Sequence, residues 1–135
     1  LLLHSSKHRQ FSLPQGHRNE GEELIDTILR EIKEETGFYD FEIIMPINTY
    51  GFRFYNKNQI THKVITCFLV KLNSLKKNKK GLEAHESYTN HFFAAENAIK
   101  KLSWPEDKET MKRAQNIIMA NKKMPRFFET GHRVF

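Results

Sequence analysis

Four glutamates, whose side chains can bind a cation or accept a proton, lie close together in the chain: Glu22, Glu31, Glu34 and Glu35. Residues of a helix advance by about 100° each, so Glu31, Glu34 and Glu35 are expected within an arc of roughly 100°. Like charges three and four positions apart destabilise an isolated helix. A cation bound by all three carboxylates would remove this repulsion.

Oxygen ligands favour a hard divalent ion, Mg²⁺ or Mn²⁺, which keeps several waters and is completed by substrate phosphates. The preceding "LPQG", residues 13–16, is expected to bring the backbone close to the start of the helix. Gly16 would permit a tight approach, and its carbonyl oxygen is a further candidate ligand. The alternative for these glutamates is a solvated acidic helix face without a ligand.

The apolar residues of the same segment favour the metal-binding interpretation. Leu24, Ile25, Ile28, Leu29 and Ile32 occupy the arc next to the carboxylates on the predicted helix. The carboxylates therefore lie at the border of the core-facing stripe, where partial burial is expected.

Length and composition predict one domain, residues 1–135, with a C-terminal segment at 124–135 that has no hydrophobic period. No apolar run is long enough to cross a membrane, and Cys67 is the single cysteine. These features predict a soluble protein of a reducing compartment, the cytoplasm. The chain opens with "LLLH" and no Met, which predicts a first strand that is truncated, with N-terminal sequence missing.

The charge balance is basic, with 22 Lys and Arg against 16 Asp and Glu and a net charge of +6. Such a balance favours anionic partners, namely nucleotides, polyphosphates or RNA.

Residue patterns predict strands and helices that interleave along the chain. Strands are predicted at residues 1–4, 41–55 (as two pieces), 63–72 and 91–95, and helices at 22–36, 96–102 and 106–122. The lysine-rich stretch 73–87 is predicted to be a flexible loop. This order predicts a mixed α and β domain with helices packed on a sheet.

The full spacing of the acidic segment identifies a family resemblance. From Gly16 the chain has five residues, Glu22, seven residues and then "REIKEETGF" at 30–38. This pattern resembles the Nudix box, Gx5Ex7REUxEExGU with U apolar, at every defined position. The resemblance implies an α/β/α sandwich with a mixed β-sheet between helices. It also implies Mg²⁺- or Mn²⁺-dependent hydrolysis of nucleoside diphosphates linked to another moiety.

The resemblance assigns roles to individual residues. The implied metal ligands are Gly16 (through its carbonyl), Glu31, Glu34 and Glu35. Glu31 or a glutamate further along the chain would be the general base. Glu22 and Arg30 would form an ion pair that orients the helix.

Weaker motifs resemble those of the asymmetric diadenosine tetraphosphate hydrolases. They are "LPQGHRNEGEE" at 13–23, "AHES" at 84–87 and "AENAIKKLSWPEDKETMKRA" at 95–114. On that alignment Glu86 is an additional ligand or base, and Tyr55 stacks on an adenine, with Tyr88 as the alternative. His62 or Lys63 would contact phosphates, and His17 would contribute to substrate binding.

Three functions are compatible with these features. The first is asymmetric cleavage of a bis(5′-nucleosyl)-tetraphosphate, and the second is an RNA 5′ pyrophosphohydrolase of the decapping type, since "LPQG" also resembles that group. The third is a catalytically silent nucleotide-binding domain. Such domains usually lose their glutamates, and here none is missing. The sequence does not determine the oligomeric state.

Overall fold

A computed structural model of the chain describes residues 1–78 and 88–121, together with the backbone of Arg133–Val134. The elements in chain order are β1 (Leu2–Ser5), β2 (Gln10–Ser12), α1 (Leu24–Thr36), β3 (Phe41–Asn56), β4 (Gln59–Leu72), β5 (Tyr88–His91), α2 (Ala95–Lys101), α3 (Pro105–Ala120) and β6 (Arg133–Val134). The strands form two three-stranded sheets, β2-β1-β5 and β3-β4-β6, and all pairs of these strands are antiparallel.

Helices lie on both faces of the sheet that has β1 as its central strand. Leu2 is fully buried and packs with Ala98 and Leu102 at the α2 side. The next residue, Leu3, is paired with Asn90, whose Nδ2 donates to the Thr36 carbonyl at the end of α1. Because successive side chains of a strand point to opposite faces, α1 and α2 lie on opposite faces of this sheet. The predicted α/β fold with helices on both sides is confirmed.

Helix α1 ends where the sequence predicts. Gly37 adopts the left-handed conformation, with φ of 77°, and its N–H donates to the Lys33 carbonyl, an arrangement that favours glycine. Ile32 is buried as expected, but Leu24 and Ile25 are 39% and 46% exposed. The first turn of the helix therefore buries fewer apolar side chains than the periodicity predicts.

Strands β3 and β4 form one long hairpin. The region 41–55 is a single strand rather than the two predicted pieces, with register irregularities between Ile43 and Met45 and between Pro46 and Asn48. A proline has no N–H to donate to a neighbouring strand, which explains the second irregularity. The hairpin turn has positive φ at both central residues, Lys57 and Asn58, as two-residue turns of twisted hairpins require.

The strand near residue 90 lies further towards the N-terminus than predicted. The prediction placed it at 91–95, whereas β5 is Tyr88–His91 and α2 already begins at Ala95. Instead of extending the strand, Phe92 packs against a buried cluster of Leu1, Phe38 and Leu72. Phe93 packs against a second buried cluster, Leu2, Ala98 and Leu102. The short strand β2 was not predicted from the sequence.

The loop and the C-terminal segment are described only in part. Residues 79–87 of the predicted loop and residues 122–132 lie outside the described residues. The described part of the loop reaches the end of α1, since the Asn78 N–H donates to the Gly37 carbonyl. Near the C-terminus, β6 pairs with the end of β4. In the described part of the chain no helix has the length and apolar character needed to span a membrane.

Candidate active site

The segment that precedes α1 lies directly against two of its glutamates. The Gln15 N–H donates to Glu35 Oε2 at 2.8 Å, and the His17 N–H donates to Glu31 Oε1 at 3.1 Å. Gly16 lies between these two donors. The backbone of residues 15–17 thus fixes the positions of carboxylates four residues apart on the helix.

Gly16 leaves no room for a side chain beside the Glu31 carboxylate. A Cβ built on Gly16 would lie 1.7 Å from Cδ of Glu31 and 2.1 Å from its Oε2. Any side chain there would have to displace the Glu31 carboxylate. The glycine therefore allows the backbone and this carboxylate to occupy adjacent space.

Arg30 is the centre of the charge network. Its Nε and Nη2 donate to the two oxygens of Glu22 at 2.9 and 3.0 Å, which is the ion pair implied by the sequence resemblance. Its Nη1 donates to Glu31 Oε1 at 2.8 Å and to Glu34 Oε2 at 2.9 Å. Arg30 also donates to the His17 carbonyl at 2.9 Å. One guanidinium therefore joins three carboxylates to the segment before the helix.

Glu22 is held in its charged form by several donors. The Asn19 N–H and the Thr27 hydroxyl donate to its Oε2 at 3.0 and 2.9 Å. Its hydrogen bonds with Arg30, and then with the Asn19 backbone, lower the pKa of Glu22 to about 2. In turn, hydrogen bonds to Glu22 and Glu31 raise the pKa of Arg30 above its ordinary value. Thr27 is buried in this role, which the sequence analysis did not anticipate.

The acceptors around Arg30 have the chemistry of a divalent-metal site. Glu31, Glu34 and Glu35 provide carboxylate oxygens, and the close approach of Gly16 places a main-chain segment beside them. Within the described ranges, no group of three or more His, Cys, Asp or Glu side chains is already arranged to hold a metal ion. Two of the expected ligands, Glu31 and Glu34, instead share Arg30 Nη1. These oxygen ligands fit Mg²⁺ or Mn²⁺. To bind the ion, Glu31 and Glu34 would have to rotate away from the Arg30 guanidinium.

The predicted substrate-binding residues on the hairpin fall into two groups. Tyr55 is 81% exposed and is paired with Ile60, while His62 is paired with Arg53. These positions alternate along their strands so that Tyr55 and His62 share one face. Lys63 belongs to the opposite face. Glu86 lies outside the described residues.

A second polar cluster connects helix α3 to the hairpin and to the segment before α1. The Tyr50 hydroxyl donates to Asp107 Oδ1 at 3.2 Å, and the Leu13 N–H also donates to Asp107. Burial is the main cause that raises the pKa of Asp107, and these hydrogen bonds oppose it. Leu13 lies two residues before Gln15, the donor to Glu35. Asp107 thus anchors the start of the segment that contacts the α1 carboxylates.

Tyr50 and Asp107 were not predicted as site residues from the sequence. They are separated by 57 positions, so no local spacing connects them. The available signal was an acidic residue in the first turn of a helix that begins at Pro105.

Comparisons with known proteins agree with this geometry. Residues 1–114 match the family model of the NUDIX domain. A solved structure with a similar fold is described as a C. elegans Ap4A hydrolase binary complex. It is 20% identical in sequence with a TM-score of 0.60, and the match covers 88% of this chain and 85% of that chain. A search of the curated proteins found none that matches this sequence. The chain belongs to the NUDIX domain family and is a Nudix hydrolase, an enzyme that acts on acid anhydrides in phosphorus-containing compounds.

Proposed function

We propose that this enzyme cleaves a phosphoanhydride bond of a nucleoside polyphosphate, and that its substrate is a bis(5′-nucleosyl)-tetraphosphate cut asymmetrically. The observation that carries the proposal is the contact of residues 15–17 with Glu31 and Glu35 beside the Arg30 network. The fold likeness to a protein described as an Ap4A hydrolase supports the choice of substrate. So do the sequence motifs at 13–23 and 95–114.

Glu31, Glu34, Glu35 and the Gly16 carbonyl are the residues that would hold Mg²⁺ or Mn²⁺. A bound divalent ion supplies charge neutralisation for the phosphates and lowers the pKa of bound water. All four donors are oxygens, which suits a hard cation.

The protein's own groups position the reactants and accept the proton. Glu31 or Glu86 is the general base that takes a proton from the attacking water. Glu22 acts on the site through Arg30, whose orientation it fixes by two hydrogen bonds. Water attack on phosphorus then releases a nucleoside monophosphate and the remaining phosphorylated nucleoside.

Residues beyond the box would recognise the substrate. Tyr55 offers an exposed ring for stacking on a nucleobase, and His62 shares its face of the hairpin. Lys63 on the opposite face is the alternative phosphate contact. The His17 N–H contacts Glu31, which supports a place for His17 beside the scissile phosphate.

Hydrolysis in ¹⁸O-labelled water tests the proposal. The protein is incubated with Mg²⁺ and a panel of nucleotides, and the labelled product identifies the attacked phosphorus. We expect diadenosine tetraphosphate to be consumed with label in one product only. Survival of this compound while another is hydrolysed would reject the substrate assignment.

The second candidate is an RNA 5′ pyrophosphohydrolase. It is supported by the net charge of +6 and by "LPQG" at 13–16, because a basic surface attracts RNA phosphates. Release of pyrophosphate from 5′-triphosphorylated RNA would favour it over the first candidate.

A further inference from the structure

The turn end of the β3–β4 hairpin is largely surrounded by solvent. We call residues 51–64, which include the turn at Lys57 and Asn58, the hairpin arm. Residues 51–60 are all exposed. Apolar side chains nevertheless occur on both of its faces, among them Phe52 and Phe54 on one face and Val64 on the other.

One face of the hairpin arm carries two neighbouring phenylalanine rings. Phe52 is paired with Lys63 and Phe54 with Thr61, so these four side chains share a face. The ring centroids of Phe52 and Phe54 are 5.9 Å apart. The two residues are 44% and 38% exposed. Isolated exposed apolar residues are common, but paired rings beside a cation form a specific surface.

The charge of this region has one sign. The sequence from 43 to 82 contains no Asp or Glu, and the hairpin arm carries Arg53, Lys57 and Lys63. A basic surface attracts a polyanion, and the lack of acidic residues in this stretch removes a source of repulsion. The turn itself is polar, from Asn56 to Gln59, so insertion into a membrane would bury amide and ammonium groups.

We propose that the Phe52 and Phe54 face of the hairpin arm binds single-stranded nucleic acid. Successive bases stack on the two rings, and Lys63 contacts the phosphate backbone. Exposed aromatic side chains on a strand surface bind unpaired bases in this way, and a duplex hides the base faces that they need. The two rings are independent of the proposed substrate, since neither phenylalanine belongs to the catalytic or nucleotide-binding residues named above. Lys63 is shared with the alternative phosphate contact of that substrate.

Fluorescence anisotropy with short labelled oligouridine and oligothymidine tests this proposal. The buffer contains a chelator, so the measurement does not depend on hydrolysis. We expect binding that weakens with salt, with a slope of log K against log salt of about −0.7 for the phosphate that Lys63 neutralises. Binding to either oligonucleotide supports the proposal, and the ratio between them shows the preferred sugar.

The decisive variant is Phe52→Leu with Phe54→Leu. Leucine keeps the apolar character but removes the ring, so we expect a loss of binding of about tenfold or more. The matched control is Ile60→Ala with Val64→Ala on the opposite face, where exposed apolar side chains are also removed. We expect this control to bind like the wild type.

Three results would overturn the proposal. They are unchanged binding by the double leucine variant, equal binding of a duplex of the same sequence, and binding to phosphatidylserine vesicles without binding to either oligonucleotide. Nucleotide hydrolysis by the same variants is measured separately. A protein that hydrolyses no nucleotide but binds oligouridine through the two rings would reject the proposed function and retain this surface.

Discussion

The Cα of Gly16 faces the Glu31 carboxylate so closely that a Cβ at position 16 would lie 1.7 Å from Glu31 Cδ. The obstructing group is the end of a flexible side chain, so Gly16→Ala should displace Glu31 rather than unfold the protein. Because small misplacements of catalytic groups are costly, we expect kcat/KM to fall about 100-fold. The free energy of unfolding should change by less than about 1 kcal/mol.

Gly21→Ala is the matched control for Gly16→Ala. Gly21 has φ of 76° and no atoms within 4 Å of an added Cβ, so the substitution should cost about 1 kcal/mol of stability through its backbone conformation alone. Steady-state kinetics and urea unfolding of both variants measure the contrast. Full activity of Gly16→Ala would contradict the role of this contact.

Glu35→Gln should abolish turnover and leave the fold intact. The amide keeps an oxygen that can accept the Gln15 N–H, but it removes a negative charge from the cation site. We expect kcat to fall about 1000-fold, with the unfolding midpoint nearly unchanged. The control is Glu109→Gln, which removes the same charge from the exposed ion pair with Arg113. Unchanged rates in Glu35→Gln would reject its assignment as a metal ligand.

Removal of divalent ions should stop catalysis without unfolding the protein. Arg30 Nη1 pairs with both Glu31 and Glu34, so these two carboxylates have a charged partner in the fold besides the ion. We expect a chelator to abolish hydrolysis, and Mg²⁺ or Mn²⁺ to restore it. At an ion concentration about 100 times Kd, the ion should stabilise the protein by about 2.7 kcal/mol. A thermal shift that persists in Glu35→Gln would place the ion elsewhere.

Acid should weaken the fold through Glu22. Its pKa is lowered to about 2 by Arg30 and the Asn19 backbone, from an ordinary value of 4.5. Stabilisation by a carboxylate with a depressed pKa is present above the unfolded-state value and is lost as pH falls through the folded-state value. The stability difference between wild type and Glu22→Gln should therefore shrink from pH 4.5 towards pH 2. Urea unfolding across this range measures it, and a difference independent of pH would contradict the ion pair.

Substitutions of Tyr50 and of Asp107 should have different effects on the stability of the protein. Tyr50→Phe removes a hydrogen bond to a partly buried carboxylate and should cost about 1.5 kcal/mol. Burial raises the pKa of Asp107, so the charged form opposes folding and its cost grows as pH rises. Asp107→Asn should therefore be at least as stable as wild type at neutral pH.

The pH dependence provides the check on Asp107. Below its ordinary pKa of 3.8 the wild-type carboxyl is protonated, and any advantage of Asp107→Asn should disappear. Glu109→Gln, which removes an exposed carboxylate of the same helix from its ion pair with Arg113, is the control and should show no such dependence. Strong destabilisation by Asp107→Asn at neutral pH would show that the charge itself is required.

The features that the sequence determined are local ones. Spacing along one helix predicted Glu31, Glu34 and Glu35 on one side of it, because each residue advances by a fixed angle. The helix stop at Gly37 followed from the freedom of glycine to adopt the left-handed conformation. The Nudix box supplied the pairing of Glu22 with Arg30, although Glu22 lies outside the helix.

The tertiary structure alone decided the contacts between distant parts of the chain. The backbone of His17 contacts Glu31 and Arg30 because the segment before α1 folds back on the helix: its N–H donates to Glu31, and its carbonyl accepts from Arg30. The pairing of Tyr50 with Asp107 depends on α3 packing beside β3. Such contacts arise when separate elements bury surface against each other, and no periodicity within one element encodes them.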